Sequence, residues 1–358
     1  MKCCADCLTR PWLLGALSGH LDQRRAAVGE LLALRDQDLV AAVGGGLRSE
    51  LEAQLEQLDA DPIRWRALDA GLEVICRCDA AYPEGLRKLA NAPAVLYVAG
   101  GLDRFLELAA AEPVAVVGAR AASAYGIDVA RSLSRGLASA GVPVISGMAL
   151  GIDSAAHTGA VAAGGPTIAV LPGPADAPYP RSRRGLYRKL LDAGVAISEL
   201  PPGVPVRRWM FPARNRLIAA LAAMTVVVEA GERSGALLTA ACARELGRAV
   251  GAVPGRITAP HAIGPNRMLA EGARIVRGAQ DVLDALFGEG ARLASRDTRP
   301  ELDERSSALL RAIAEGHDTT AALARAGIGP GEGLAELASL ELAGYVRRGP
   351  GGRFVVIP

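Results

Sequence analysis

The sequence predicts an α/β protein built on an extended Rossmann-like parallel sheet, with a small N-terminal helical domain and a C-terminal winged helix. Three observations carry this. Apolar strand segments alternate with amphipathic helices through the middle of the chain, the pattern of a parallel sheet covered on both faces. Loops that follow those strands carry glycine and arginine. The two ends differ from the middle: short helices come first, and three helices with a hairpin come last.

Residues 1–70 read as short helices broken at Gly15, Gly19, Gly29 and Gly44 to Gly46. LEVIC (Leu72 to Cys76) and AVLYVAG (Ala94 to Gly100) are rich in β-branched and aromatic residues and read as strands. The proline turn AYPEGL separates them. Further strand segments follow as VAVVG, VPVISG, TIAVLPG, VAISEL, TVVVEA, AVGAVPG and RIVRG. Between the first two of these, Ile127, Ala130, Leu133 and Leu137 share one helical face. The Rossmann-like core is thus expected over residues 71–287. The polar stretch 288–302 reads as a linker. Residues 303–358 read as helices from Ser306 to Ala314, Thr319 to Arg325 and Gly331 to Ala343, then the hairpin YVRRGPGGRFVVI. That is the order of a winged helix-turn-helix.

Half of the 358 residues are hydrophobic, yet no run is long enough to cross a bilayer. The short apolar run from Trp12 to Leu17 is preceded by Asp6 and Arg10 and makes a poor signal peptide. A cytoplasmic protein with six reduced cysteines is expected. The net charge of +2 hides an uneven distribution: residues 113–287 hold 19 Arg and Lys against 11 Asp and Glu, so the remainder is net negative. A cationic surplus in the domain with glycine-bearing turns is the footprint of a polyanion-binding protein.

The loops locate that footprint. The first turns at Gly118 and Arg120, before a helix that opens near Ser123. Free N–H groups and the positive end of the helix dipole favour an anion at such a turn. In the second loop Ser146 and Gly147 end the strand, Gly151 admits a close backbone approach, and Asp153 is placed to cap the helix containing His157. The third carries five basic residues from Arg181 to Lys189. The fourth carries Arg207, Arg208, Arg214, Asn215 and Arg216; the fifth, Arg233, Ser234, Gly235 and Thr239; the sixth, Gly255, Asn266 and Arg267. Repeated along one sheet edge, these turns fit a chain of phosphates better than one nucleotide.

Catalytic and cofactor patterns are wanting. The first turn is not G-x-G-x-x-G, and G-x-x-x-x-G-K-[ST] does not occur. Ser146, Asp153 and His157 suggest a hydrolase triad, but Ser146 is not in a G-x-S-x-G elbow, so capping and packing explain them better. Only four histidines are present, and Glu199 and Glu229 are single carboxylates at strand ends. A non-enzymatic protein without a cofactor is expected. The alternative is a nucleotide-processing enzyme related to the lysine-decarboxylase-like phosphoribohydrolases, but VPGRITAPH and EAGERSGALLTA do not fit their P-G-G-x-G-T-x-x-E. With 4% aromatic residues, binding should run through the backbone, tolerate sequence and weaken with salt. Separately, Cys4-x-x-Cys7 and Cys76-x-Cys78 are a candidate four-thiolate zinc set, weighed against four ordinary reduced thiols.

Over about residues 72–287 the chain resembles the DNA-processing protein A family (DprA, also called Smf), bacterial recombination mediators that bind single-stranded DNA and load RecA. The resemblance rests on AYPEGL, APAVLYVAG, VVGAR, SGMALGIDSAAH, TIAVLPG with a following YP, SELPPG, FPARNRLIAAL, VVVEA with RSGALLTA, AVPG and GPNRML. It implies a homodimer, with single-stranded DNA and RecA recombinase as partners in recombination and natural transformation. It places phosphate contacts on Gly118, Ala119 and Arg120, on Ser146, Gly147 and Gly151, and on Arg214, Asn215 and Arg216. Arg233, Ser234, Gly235, Asn266 and Arg267 join them from the reading of the loops. Ala119 replaces the family's usual hydroxyl and leaves only a backbone N–H, and Leu150 replaces a usual basic residue. In the C-terminal segment the third helix carries Glu332, Glu336 and Glu341 and no cation, leaving Arg347, Arg348 and Arg353 on the wing. A protein-contact role is expected there rather than major-groove reading.

Overall fold

The nine strand segments read from LEVIC to RIVRG join one sheet. In chain order these are β1 (Glu73–Cys76), β2 (Val95–Ala99), β3 (Val114–Val117), β4 (Val144–Ser146), β5 (Thr167–Val170), β6 (Val195–Ser198), β7 (Met224–Val227), β8 (Ala249–Ala252) and β9 (Arg274–Ile275). They lie in the spatial order β1-β2-β6-β5-β4-β3-β7-β8-β9. The run from β6 to β9 is parallel; β1 on β2 and β2 on β6 are antiparallel. The computed structural model describes residues 3–294 and 302–357, so residues 295–301 of the expected linker lie outside the described residues. The chain divides into two compact units, Met1–Ala294 and Ser295–Pro358.

Alternation along each strand feeds two cores. In β3, Val114 and Val116 enter an apolar cluster with Leu133, Leu137, Ile152 and Val282, under the helices Ala124–Ser139, Ile152–Ala162 and Ala279–Phe287. Ala115 and Val117 face the opposite cluster, with Leu217, Ile218 and Ala240, under Met210–Leu221 and Gly235–Glu245. The face predicted for the first of these helices is seen: Ala130, Leu133 and Leu137 are buried, and Ile127 packs at its edge.

The N-terminal helices share their cores with the sheet. Leu8, Ile63 and Ala67 cluster with Val74, Tyr97 and Ala196. Leu13, Leu17, Leu31 and Val40 cluster with Leu200, Trp209 and Met210 from the loop and helix after β6. Trp209 donates its backbone N–H to Asp22 (3.0 Å) and its indole N–H to Ser18 (3.1 Å). Two apolar clusters therefore cross the boundary expected near residue 70. Gly15, Gly19 and Gly29 lie inside helices rather than between them.

The second unit holds helices Glu304–Ala314, Thr320–Arg325 and Pro330–Leu342, then an antiparallel hairpin of β10 (Val346–Arg348) and β11 (Phe354–Val356). Leu309, Ile313, Leu323, Leu337, Leu340, Val346 and Phe354 form its own core.

Candidate nucleic-acid interface

The sheet order reverses beside β3. Its successor β4 lies on one side and β7 on the other. Crevices at the carboxyl ends of strands open at such a switch point. Here a cleft of about 790 Å³ lies there, lined by Gly118 and Arg120 after β3 and by Ser234 and Gly235 after β7. The Met210–Leu221 helix forms a third side through Phe211, Arg214 and Asn215. Arg25 and Gly29 of the N-terminal helices form a fourth.

The first turn differs from its sequence reading. The N-terminus of the Ala124–Ser139 helix is already filled by the carboxylate of Glu229, which accepts from the Ser123 N–H (2.8 Å) and from the Ser123 hydroxyl. Ser123 in turn caps Gly126 N–H at 3.1 Å. The Ala119 N–H, expected to be a phosphate donor, donates to the Glu229 carbonyl at 2.7 Å. Arg120 is the exposed member of this turn, with its guanidinium 4.6 Å from the Phe211 ring centroid.

The second loop is a bracket for the first. Gly151 has φ +79°, and a Cβ there would stand 2.2 Å from the Ala119 carbonyl oxygen and 2.5 Å from that of Arg120. Its glycine serves loop-on-loop contact. Ser146 is fully buried and donates to the Val116 carbonyl at 2.7 Å. His157 Nδ1 lies 2.8 Å from Thr167 Oγ1, whose own hydroxyl donates to the Val144 carbonyl, so the imidazole is the donor. Burial pushes the His157 pKa down to about 3, which keeps the ring neutral. Ser146 and His157 are thus engaged in holding strands, with the serine hydroxyl spent on the Val116 carbonyl and the imidazole Nδ1 on Thr167.

Arg214 and Arg216 are buried. Arg214 Nη1 donates to the carbonyls of Gly147 (2.5 Å) and Val170 (2.6 Å), and its Nη2 sits 3.5 Å from Asp153. Burial pushes the Asp153 carboxyl up, and the Arg214 guanidinium opposes that shift. Arg216 grips both oxygens of Glu199 (3.0 and 2.7 Å) and reaches Asn91. Asn215 donates to the Gly235 carbonyl at 3.3 Å and ties the helix to the fifth loop.

Of the residues singled out in the sequence, Gly118, Arg120, Asp153, Arg208, Arg214, Asn215, Arg216, Ser234, Gly235 and Thr239 meet at the cleft. Ser234 caps its helix through Ala236 N–H, and Arg233 beside it is exposed. The sixth loop does not line the cleft. Asn266 there makes a two-way clamp on Gly255 (3.1 and 3.0 Å), and Arg267 pairs with Glu271 at 3.6 Å.

Two cleft residues, Arg25 and Phe211, carry no assignment from the sequence. Arg25 arrives from a helix remote in sequence, and only tertiary packing brings it there. Phe211 stands between Arg120 and Tyr179, whose ring centroid is 5.5 Å away in an edge arrangement. Its signal was its place in FPARNR, read for the arginines alone. Arg25, Arg120 and Arg208 are all exposed, with no carboxylate at ion-pair distance among the described residues. Together the lining offers backbone turns, three available cations and an aromatic face. That set suits a flexible phosphodiester with accessible bases.

Comparisons with known proteins bear on the family and the fold. A family model for DNA recombination-mediator protein A matches residues 73–287. A putative DNA processing protein DprA of Mycobacterium tuberculosis is 43% identical over 265 residues, covering 72% of this chain and 67% of that one. The solved structure of DNA processing protein A from Streptococcus pneumoniae superposes with a TM-score of 0.65 at 31% identity, over 80% of this chain and 99% of that chain. The Helicobacter pylori structure, described for its single-stranded DNA binding mode, gives 0.54 at 26% identity, over 61% and 97%.

Proposed function

Because the chain belongs to the DNA recombination-mediator protein A family, we propose that it is a non-enzymatic DNA-processing protein that binds single-stranded DNA along the cleft between the β3 and β7 loops. The observation that carries this reading is the trio Arg25, Arg120 and Arg208, exposed around one cleft with no carboxylate at ion-pair distance among the described residues. Arg214, Arg216, Ser146, Gly147 and Gly151 act one step back, by fixing the loops that present those cations. Arg233, Ser234 and Gly235 extend the contact surface along the fifth loop.

The finer parts of the proposal rest on the family resemblance. They are the loading of RecA recombinase, action as a homodimer in the cytoplasm, and use in recombination or transformation. The C-terminal unit is proposed to be a winged helix that contacts protein. Its wing arginines favour that role, since Arg348 pairs with Glu341 and Arg353 with Asp318, both at 3.2 Å. Leu342, 90% exposed on its third helix, offers an apolar contact.

Anisotropy titration with a labelled single strand, the matching duplex and a mononucleotide, across salt, tests the central claim. The single strand should bind tightest, and its affinity should fall steeply with salt. Equal competition by mononucleotide would overturn it.

A further inference from the structure

Four cysteine sulfurs meet at the foot of the N-terminal helix. Cys4 precedes the helix Ala5–Ala16 and Cys7 lies in its first turn; Cys76 ends β1 and Cys78 follows two residues on. Their Sγ atoms all lie within 4.8 Å of one another. Cys7 and Cys76 are buried, whereas Cys4 and Cys78 reach the surface. We propose that these four thiolates hold one structural zinc ion that staples the N-terminal helix to the edge of the sheet.

The geometry carries the choice of metal. Four thiolates at about 2.3 Å around one tetrahedral zinc stand about 3.8 Å apart. Across the two elements the sulfurs are 4.0 Å (Cys4 to Cys76) and 3.6 Å (Cys7 to Cys78) apart. An iron–sulfur cluster shares the four cysteines among two or four irons, so sulfurs on different irons stand farther apart than four on one ion. Four soft donors with no carboxylate or imidazole among them select zinc over harder cations. The surroundings also fit. Cys76 Sγ accepts from the backbone N–H groups of Cys4 and Cys78, the outer-shell support that ligating thiolates receive. Cys3 lies outside the set of four, as does Cys242.

The staple closes a loop of 72 residues, with the rest of the N-terminal helices inside it. On the stapled helix Arg10 pairs with Asp36 (2.7 Å) and donates to the Leu32 carbonyl (2.8 Å). Leu32 belongs to the helix Val28–Ala33, which lines the cleft. Metal binding would thus steady the wall that presents Arg25. The inference does not depend on the DNA-binding reading and is tested without DNA.

The experiment uses full-length protein made without a metal-binding tag and kept reduced. Elemental analysis should find about one zinc per chain. Cobalt exchanged for zinc should give the strong visible bands and thiolate charge-transfer absorption of a tetrahedral tetrathiolate. Cys78→Ser should retain at least tenfold less zinc after dialysis, while Cys242→Ser retains the wild-type amount. If Cys78→Ser does not fold, metal content and the cobalt spectrum of the wild type decide alone. Protein that stays metal-free after zinc is offered under reductant, protein that carries iron with sulfide, or freshly prepared protein with Cys4–Cys76 and Cys7–Cys78 disulfides would each overturn the proposal.

Discussion

Arg214 Nη1 donates to the Gly147 carbonyl at 2.5 Å, and a Cβ added to Gly147 would stand 1.7 Å from that same nitrogen. Gly147 is therefore the hole into which Arg214 is plugged. Removing the plug strands the carbonyls of Gly147 and Val170 and leaves Asp153 buried with no cation at ion-pair distance among the described residues. Truncating one partner of a buried ion pair costs about 3–5 kcal/mol. Arg214→Ala should therefore lower the urea midpoint markedly, and Gly147→Ala should do the same by collision. Wild-type midpoints for both would show that this junction is not structural. Any loss of DNA affinity in Arg214→Ala has to be read against its loss of fold.

The exposed arginines should behave in the opposite way. Arg25→Ala, Arg120→Ala and Arg208→Ala remove no protein ion pair, and surface changes of this kind stay within about 0.5 kcal/mol of wild-type stability. Each should weaken single-strand binding and flatten the salt dependence by about 0.7 in slope for every phosphate that is no longer neutralised. Anisotropy titrations at several salt concentrations measure both. Unchanged affinity in all three variants would place the DNA elsewhere.

The sheet was legible because each strand is an apolar run between helices, a signal local in sequence. The switch point beside β3 was not, since strand order depends on which crossovers return past earlier strands. Inside the site, charge type was legible but charge disposition was not. Arg214, Arg216 and Arg120 look alike in the sequence, yet two are buried against Asp153 and Glu199 while the third is exposed. Glu229 could not have been paired with Ser123 from sequence, because 106 residues separate them. The four cysteines were legible as two spaced pairs, and their convergence needed the β1 edge to meet the first helix.

His157 sets an acid limit. Its pKa in the folded chain lies near 3, below the unfolded value of 6.5, because burial excludes the imidazolium. Below pH 6.5 the unfolded chain therefore binds a proton that the folded chain refuses, and folding stability falls as pH falls toward 3. The fully developed slope is about 1.4 kcal/mol per pH unit. Asp153, whose carboxyl is shifted upward, acts in the other direction above its unfolded value of 3.8 and softens the lower end of this window. His157→Asn keeps a donor for Thr167 and removes the titration. Its urea midpoint should vary less than that of the wild type as pH falls from 6.5. Parallel curves for the two proteins would assign the acid limb to other groups.

Phe211 decides whether binding is purely electrostatic. The low aromatic content argues for backbone contacts alone, but the ring lies in the cleft with the Arg120 guanidinium 4.6 Å from its centroid and Tyr179 at its edge. A base sliding between guanidinium and ring, or onto the ring after Arg120 swings to a phosphate, would gain about 1–3 kcal/mol by stacking. Phe211→Ala would lose that amount with a normal strand. With an abasic strand, which has phosphates but no bases, the variant and wild type should bind alike, apart from any shift in Arg120. Phe211→Tyr keeps a π-face and should bind like the wild type on both strands. An equal loss for Phe211→Ala on normal and abasic strands would mean that the ring serves only to hold Arg120 in position.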